Sequence, residues 1–338
     1  MKILVTGGAG YVGSALVPAL INEGHHITCL DRFFFGDSFL SSKEFSQHIE
    51  LIKDDIRWFN PDILKNQDLV IDLAALSNDP VGDLNPEKTF EINHLGRARV
   101  AKLSKENGVP QYILASSASV YGQQEDIVNE ESNVNPLTSY SQANRKAELD
   151  AISLNDDKFT TSVLRFSSIF GISPRMRFDL AVNSLVLDYF NTGKIRILGK
   201  NNKRPFLHIK DAVRAYLQTI NSEKSKISGE IFNVGSDKLN YKIGALGEEV
   251  KNSLDKDCEV ILEDTPDHRS YSVSFEKIRR LLDYKTIYTV KDASEEIHNA
   301  LITKSLIFNE KMITVKWYNK ILNDQTLLKE FSINGKFL

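Results

Sequence analysis

The stretch KILVTGGAGYVGSALVPALI, residues 2–21, decides the fold class. Five residues of β character run directly into a glycine-rich turn, and an apolar helical pattern follows it until Gly24. In that context each glycine has a separate use. Gly7 permits the tight turn, Gly10 lets a pyrophosphate approach the backbone, and Gly13 lets the helix pack closely on the strand. Tyr11 and Val12 complete the loop, and the helix N-terminus presents free N–H groups to phosphate oxygens. HITCL, 26–30, supplies the next strand and ends at Asp31. A carboxylate there accepts hydrogen bonds from the adenosine ribose and repels a 2′-phosphate, which favours NAD over NADP; Arg32, beside it, pulls the other way.

Outward from this unit, strand patterns at 2–6, 26–30, 49–53, 69–73, 111–116 and 160–166 alternate with helical patterns at 11–23, 86–107 and 139–154. The alternation predicts an α/β protein: a doubly wound parallel sheet of the Rossmann type, covered on both faces. Residues 1–171 form the expected NAD-binding domain. Residues 172–338, where the rhythm becomes irregular, form a smaller mixed substrate-binding lobe, with room for segments of it to return to the sheet. The segment 300–338 shows helical patches but no nameable chemistry. A net charge of −3 offers no basic surface for nucleic acid or an anionic membrane. No apolar run approaches a membrane span, and the glycines at 7, 8 and 10 interrupt any secretory signal. Cys29 and Cys258 form neither a disulfide framework nor a metal cluster, so a reducing, cytoplasmic setting and no metal are expected.

TGGAGYVG, together with Asp55-Ile56, Leu73-Ala74-Ala75 and Asn93 in EINHLG, resembles the extended short-chain dehydrogenase/reductase family, especially its nucleotide-sugar epimerases and dehydratases. The resemblance implies that these residues surround the cofactor: Asp55 and Ile56 at the adenine, 73–75 at the strand end, and Asn93 in the helix beside the active site.

ASSASVYG, 115–122, follows a strand and places hydroxyls at the carboxyl end of the sheet, where ligands of such folds bind. By resemblance Ser117 is the catalytic hydroxyl, Ser119 a substrate neighbour, and Tyr140 the base whose phenolate takes the sugar 4-hydroxyl proton. A free phenol ionises near pH ~10, so the site must stabilise the anion. The family uses a lysine four residues later, which also holds the cofactor ribose. Here that position is Asn144, which can donate a hydrogen bond but carries no charge, and Lys146 points to another face of the helix. A slow natural enzyme, a substitution that traps a complex, and a binder without turnover all remain open at this point.

At the substrate end, Arg204 and Arg269 match the family's pair of diphosphate-binding arginines, and Asn183 resembles the residue that meets the diphosphate from the lobe's helix. FGISPRMRFDLAVN, 170–183, looks like a subgroup that includes GDP-heptose oxidoreductases, with Arg175 and Arg177 at base or sugar or bracing the lobe. His208 is expected to bond locally to Asp211. The acid pair of the family's 4,6-dehydratases is replaced by Ala118 and Ser119, which disfavours dehydration. The resemblance thus implies an NAD-dependent nucleotide-sugar 4-epimerase, with a 4-dehydrogenase or, less favoured, a 4,6-dehydratase as the alternative and a nucleotide-sugar and NAD binder with weak or no turnover as the reading of another class. It also implies a homodimer through helices 86–107 and 139–154.

Overall fold

The computed structural model describes residues 1–265 and 267–337. Its main sheet has seven parallel strands: β1 (Lys2–Thr6), β2 (His26–Asp31), β3 (Ile49–Lys53), β4 (Leu69–Asp72), β5 (Gln111–Ser117), β6 (Thr160–Phe166) and β7 (Glu230–Val234). They lie in the order β7-β6-β5-β4-β1-β2-β3. The winding direction reverses between β1 and β4, and that switch point opens the crevice in which ligands of doubly wound sheets bind. Every residue of β4 and β6 is buried, as expected for strands covered on both faces.

One face of the sheet packs on α1 (Gly13–Asn22), with Leu16, Val17 and Leu20 against Ile3, Val5 and Ile113. The other face packs on α2 (Arg97–Glu106) and α3 (Ser139–Ser153), through Val100, Ala101, Ala147 and Ala151. The pattern at 86–107 predicts a single helix. The structure instead has α-helix at Pro86–Phe90, a π-helical turn at Glu91–Gly96, and then α2. Such wide turns insert one residue and rotate everything that follows around the axis. The smaller lobe has its own core around Phe170, Phe178, Leu185, Phe206, Val250 and Ile297, from α4 (Ala181–Thr192), α6 (Ile243–Leu254) and α7 (Val290–Ile302), with α5 (Ile209–Ile220) lying back against the main sheet.

The C-terminal segment also returns to the first domain. Trp317, Ile321 and Phe331, from α8 (Thr314–Asn323) and α9 (Gln325–Phe331), join the core beneath α2 and α3, and Trp317 Nε1 donates to the carbonyl of Phe34 at 2.6 Å. With β7 drawn from beyond residue 171 as well, the two lobes are interleaved along the chain.

A buried ion pair ties α3 to β6. The Arg165 guanidinium donates twice to the Glu148 carboxylate, at 2.9 and 2.8 Å, and Ser116 Oγ donates to the same carboxylate at 2.6 Å. Burial pushes the Glu148 carboxyl up, but the Arg165 bonds and charge outweigh it and hold the group below its ordinary value. Arg145 Nη1 also donates to Glu148, at 2.9 Å, so Arg165→Met leaves the buried carboxylate with one partly exposed cation and should cost about 3 kcal/mol in urea unfolding, the low end for a broken buried pair, whereas the double change with Glu148→Leu should recover most of it. Since the folded-state value is depressed, this contribution is complete above the unfolded glutamate range, about pH 4.3, and is lost as pH falls through the folded value.

Candidate active site

A cleft of about 600 Å³ runs along the carboxyl edge of the sheet and under the smaller lobe. Gly7, Gly10, Tyr11, Val12 and Gly13 form its floor. Gly7 has φ +68°, and a Cβ there would stand 2.7 Å from the backbone nitrogen of Ala74, so only glycine fits the meeting of β1 and β4. A Cβ on Gly13 would stand 2.5 Å from Gly8 Cα, which is how closely the loop folds over the helix start.

Asp31 braces this loop. Its carboxylate accepts from the N–H of Ala9 at 2.9 Å and of Phe33 at 2.8 Å, leaving a lone pair free on each oxygen. Burial pushes the carboxyl up and these backbone bonds pull it back. Arg32 is committed elsewhere: Nη1 donates to Asp55 at 2.7 Å and Nη2 to the carbonyl of Phe331 at 2.7 Å. Both of its terminal nitrogens are therefore taken, and only Nε is left without a partner. Asp55 takes Arg57 as well, and although burial raises its carboxyl, the two arginines hold it low. These features fit an adenosine ribose at Asp31, with Asp55 and Ile56 on the adjoining wall.

Leu73, Ala74 and Ala75 line the cleft where β4 ends. Asn93 does not reach it. Both of its amide atoms bind the backbone of Leu76, Oδ1 accepting at 2.8 Å and Nδ2 donating at 2.9 Å, and the side chain is fully buried. It pins the strand-end segment rather than touching a ligand, because the wide turn aims it at that segment.

Ser117, Ser119, Tyr140 and Asn144 meet on one wall of the cleft. Ser117 Oγ caps the short turn after β5, accepting from the N–H of Ser119 at 3.1 Å. Ser119 Oγ and Asn144 Nδ2 are buried without a partner, so both are available to a bound molecule. Tyr140 opens α3, capped by Thr138, and packs against Gly82, where a Cβ would lie 2.9 Å from its own. Arg97 and Tyr216, which the sequence reading passed over, also line this wall. An isolated arginine in a helical pattern gives no local signal of burial.

Elsewhere along the cleft Arg204 and Arg269 converge on Asp267. Arg269 donates to it at 2.8 and 2.6 Å and Arg204 at 3.1 Å, while Arg269 Nη1 also meets Asp79 across the cleft. Asn183 is not at the cleft surface. It is fully buried, with Oδ1 accepting from the N–H of Gly171 at 2.9 Å and Nδ2 donating to the carbonyl of Arg177 at 2.8 Å. Its role is to hold the 171–177 segment, which presents Arg175 and Arg177 to the cleft. Arg177 pairs with Asp179 at 2.7 Å and bonds Ser77 across to the first domain. Arg175 lies over the Phe35 ring at 3.6 Å, with Nε and Nη1 unpartnered, and burial pulls its pKa down to about 9. His208 does not bond to Asp211: its Nδ1 accepts from the N–H of Lys210 at 3.1 Å, while Asp211 takes the N–H groups of Ile287 and Tyr288. No group of metal-ligating side chains occurs among the described residues, and no helix there is long and apolar enough to cross a membrane.

Comparison with known proteins places this geometry. The chain is 28% identical over 237 residues to UDP-glucuronic acid decarboxylase 1 of Danio rerio, covering 66% of this chain and 55% of that protein. It is 27% identical over 267 residues to a putative UDP-glucose 4-epimerase of Methanocaldococcus jannaschii, covering 73% and 84%. The chain spans about half the length of the decarboxylases it matches. Among solved structures, the UDP-N-acetylglucosamine 4-epimerase of Methanobrevibacter ruminantium M1, in complex with UDP-N-acetylmuramic acid, superposes with a TM-score of 0.80 at 23% identity, covering 90% of this chain and 98% of that one, a likeness of fold. The model of the NAD dependent epimerase/dehydratase family matches residues 3–235, from the first strand of the sheet to its last. The chain therefore belongs to the NAD dependent epimerase/dehydratase family, whose cofactor is NAD.

Proposed function

We propose that the chain is a nucleotide-sugar 4-epimerase that works through a 4-keto sugar. The carrying observation is that Tyr140 and Ser117 line the same cleft as the glycine loop, while positions 118 and 119 offer no carboxylate. When bound, NAD supplies the hydride acceptor. Tyr140 takes the proton of the sugar 4-hydroxyl and later returns it, and Ser117 holds the same oxygen by a hydrogen bond. Arg204 and Arg269, brought together at Asp267, are the proposed diphosphate clamp, and Ser119 Oγ the donor to the sugar. The cleft carboxylates nearest the reacting end, Asp79 and Asp179, are paired with Arg269 and Arg177. Neither is free to remove a proton at C5, which supports epimerisation or simple oxidation over dehydration.

The proposed division at residue 171 is functional rather than structural: cofactor groups come from before it and diphosphate groups from after it. A second copy is the proposed partner of the face formed by the π turn and α3, where Leu95 and Leu149 are more than half exposed.

Four outcomes check this reading. Mixed with NAD and UDP-, GDP-, CDP- or dTDP-sugars in a single turnover, the protein should form NADH with one class and yield a C4 epimer. A released ketone would make it a dehydrogenase of that position instead, and tight sugar binding with no conversion would make it a binder. Tyr140→Phe should lower the rate at neutral pH by ~10²–10⁴-fold, as expected for loss of a positioned base. The chain should bind NAD at least ~10-fold more tightly than NADP, and Asp31→Asn should narrow the gap, as read by fluorescence titration. In sedimentation the protein should run as a dimer and the Leu95→Asp/Leu149→Asp variant as a monomer; a monomeric parent refutes the dimer.

A further inference from the structure

Arg97 follows the π turn directly, is 1% exposed, and lines the cleft. Its guanidinium reaches across to α3, where Nη1 donates to Asn144 Oδ1 at 2.8 Å. Nη2 donates to the carbonyl of Asp72 at 3.0 Å and to that of Ala115. The Asp72 carboxylate lies 3.6 Å from Nε, behind the fork, and is held there by the hydroxyls of Thr6 and Tyr112, each at 2.6 Å. The fork end, which faces α3, has no carboxylate partner.

Residues four apart on a helix share one face, about 5–6 Å apart at Cβ. Asn144 stands one turn beyond Tyr140, so a guanidinium that touches Asn144 occupies the neighbourhood of a side chain on that face. Tyr216 is an independent marker of the same spot. Its hydroxyl is buried without a partner, and beyond the dominant effect of burial it feels the Arg97 charge, then the Asp72 carboxylate and then Tyr140. Asn144 Nδ2, equally unpartnered, is a donor with nothing in the protein to receive its hydrogen.

We propose that Arg97 is a positioning residue that supplies the positive charge for the Tyr140 phenolate from the neighbouring helix, while Asn144 Nδ2 donates to the cofactor ribose. Two duties that one lysine combines in the related enzymes are thereby divided between two side chains. The inference rests on the 4-epimerase reading. An arginine stays protonated throughout the working range, so the charge is permanent. The other charged or titratable groups that face Tyr140 are Arg177 from the 171–180 segment, Tyr271 from strand Ser270–Val273, Tyr216 from α5, and Asp79 from the short helix Asp79–Gly82. Arg177 is neutralised by Asp179, and Asp79 is taken by Arg269. Further along α3, Glu148 is held by Arg165, and Asp150 by His94 from the π turn, where Glu91 is held by Lys88 and Arg57.

The test titrates tyrosinate absorbance with and without NAD, subtracting the same titration of Tyr140→Phe, so that the ionisation of Tyr140 is read without any sugar. Arg97→Gln should raise that midpoint by about one pH unit or more, which is tenfold less phenolate at neutral pH. Arg97→Lys should keep it near the parent value, and the exchange Arg97→Gln/Asn144→Lys should restore it. In sugar oxidation the acid limb of the pH–rate profile should move by the same amount while the alkaline plateau stays. A folded Arg97→Gln protein that binds NAD with an unmoved Tyr140 midpoint overturns the proposal and leaves Arg97 as a brace between strands. Where Asp72, left unpaired, prevents folding, Arg97→Gln/Asp72→Asn is compared with Asp72→Asn alone, and the rise between those two or its absence decides. If the parent oxidises no nucleotide sugar, the functional reading fails, while the titration still decides the role of Arg97.

Discussion

Everything in the cleft depends on how closely the backbones of β1 and β4 meet at their carboxyl ends. With a Cβ on Gly7 only 2.7 Å from Ala74 N, there is room for backbone and nothing more. Around that contact the side chains are polar and wholly buried: Thr6 donates to Asp72, Tyr112 donates to Asp72, and Thr6 also accepts from the N–H of Ala74. A buried carboxylate is tolerated only when its lone pairs are occupied and its charge is opposed, and Arg97 provides the opposition. The same interaction that stabilises the switch point also holds the Arg97 guanidinium at the cleft, against Asn144.

Side-chain polar bonds, one of them an arginine–carboxylate pair, also link the lobes. Arg177 reaches Ser77, Asn78 reaches Asp179, and Arg269 meets Asp79, so the roof of the cleft is tied to the strand-end loop by polar bonds. Polar bonds of this kind can be exchanged for bonds to phosphate at small net cost, whereas an apolar seam could not. Asn78 sits at φ +91°, an unusual conformation for a side-chain-bearing residue, in the segment these bonds converge on. On the other flank, Arg32 ties the last residues of the chain to the wall beside Asp31, and Tyr318 from the same segment lines the cleft.

Much of the sheet was legible because its signal is local. Six of the seven strands stand where apolar runs bounded by glycine and proline predict them, and α1 and α3 begin within two residues of the expected positions. The helix at 86–107 has the predicted span but not the predicted regularity. Periodicity over a long window hides one inserted residue, and that residue changes which side chains turn inward. Asn93 and Asn183 were expected at ligands, and both prove to bind backbone in the interior. A polar residue in an apolar helix pattern carries the same sequence signal whether it faces a ligand or a buried carbonyl.

The amino-acid sequence alone determined the phosphate cradle, the acidic end of β2, the place of Tyr140 at a helix start and the absence of a lysine at 144. Each is a pattern within a few residues, governed by backbone sterics and helix geometry. Only the tertiary structure decided what surrounds them: β7 and the C-terminal helices returning to the first domain, the pairing of Arg204 and Arg269 through Asp267, and Arg97 beside Asn144. Those contacts join residues far apart along the chain. Their partners are chosen by which buried charges and donors remain unsatisfied once the sheet has formed, and no local window contains that choice.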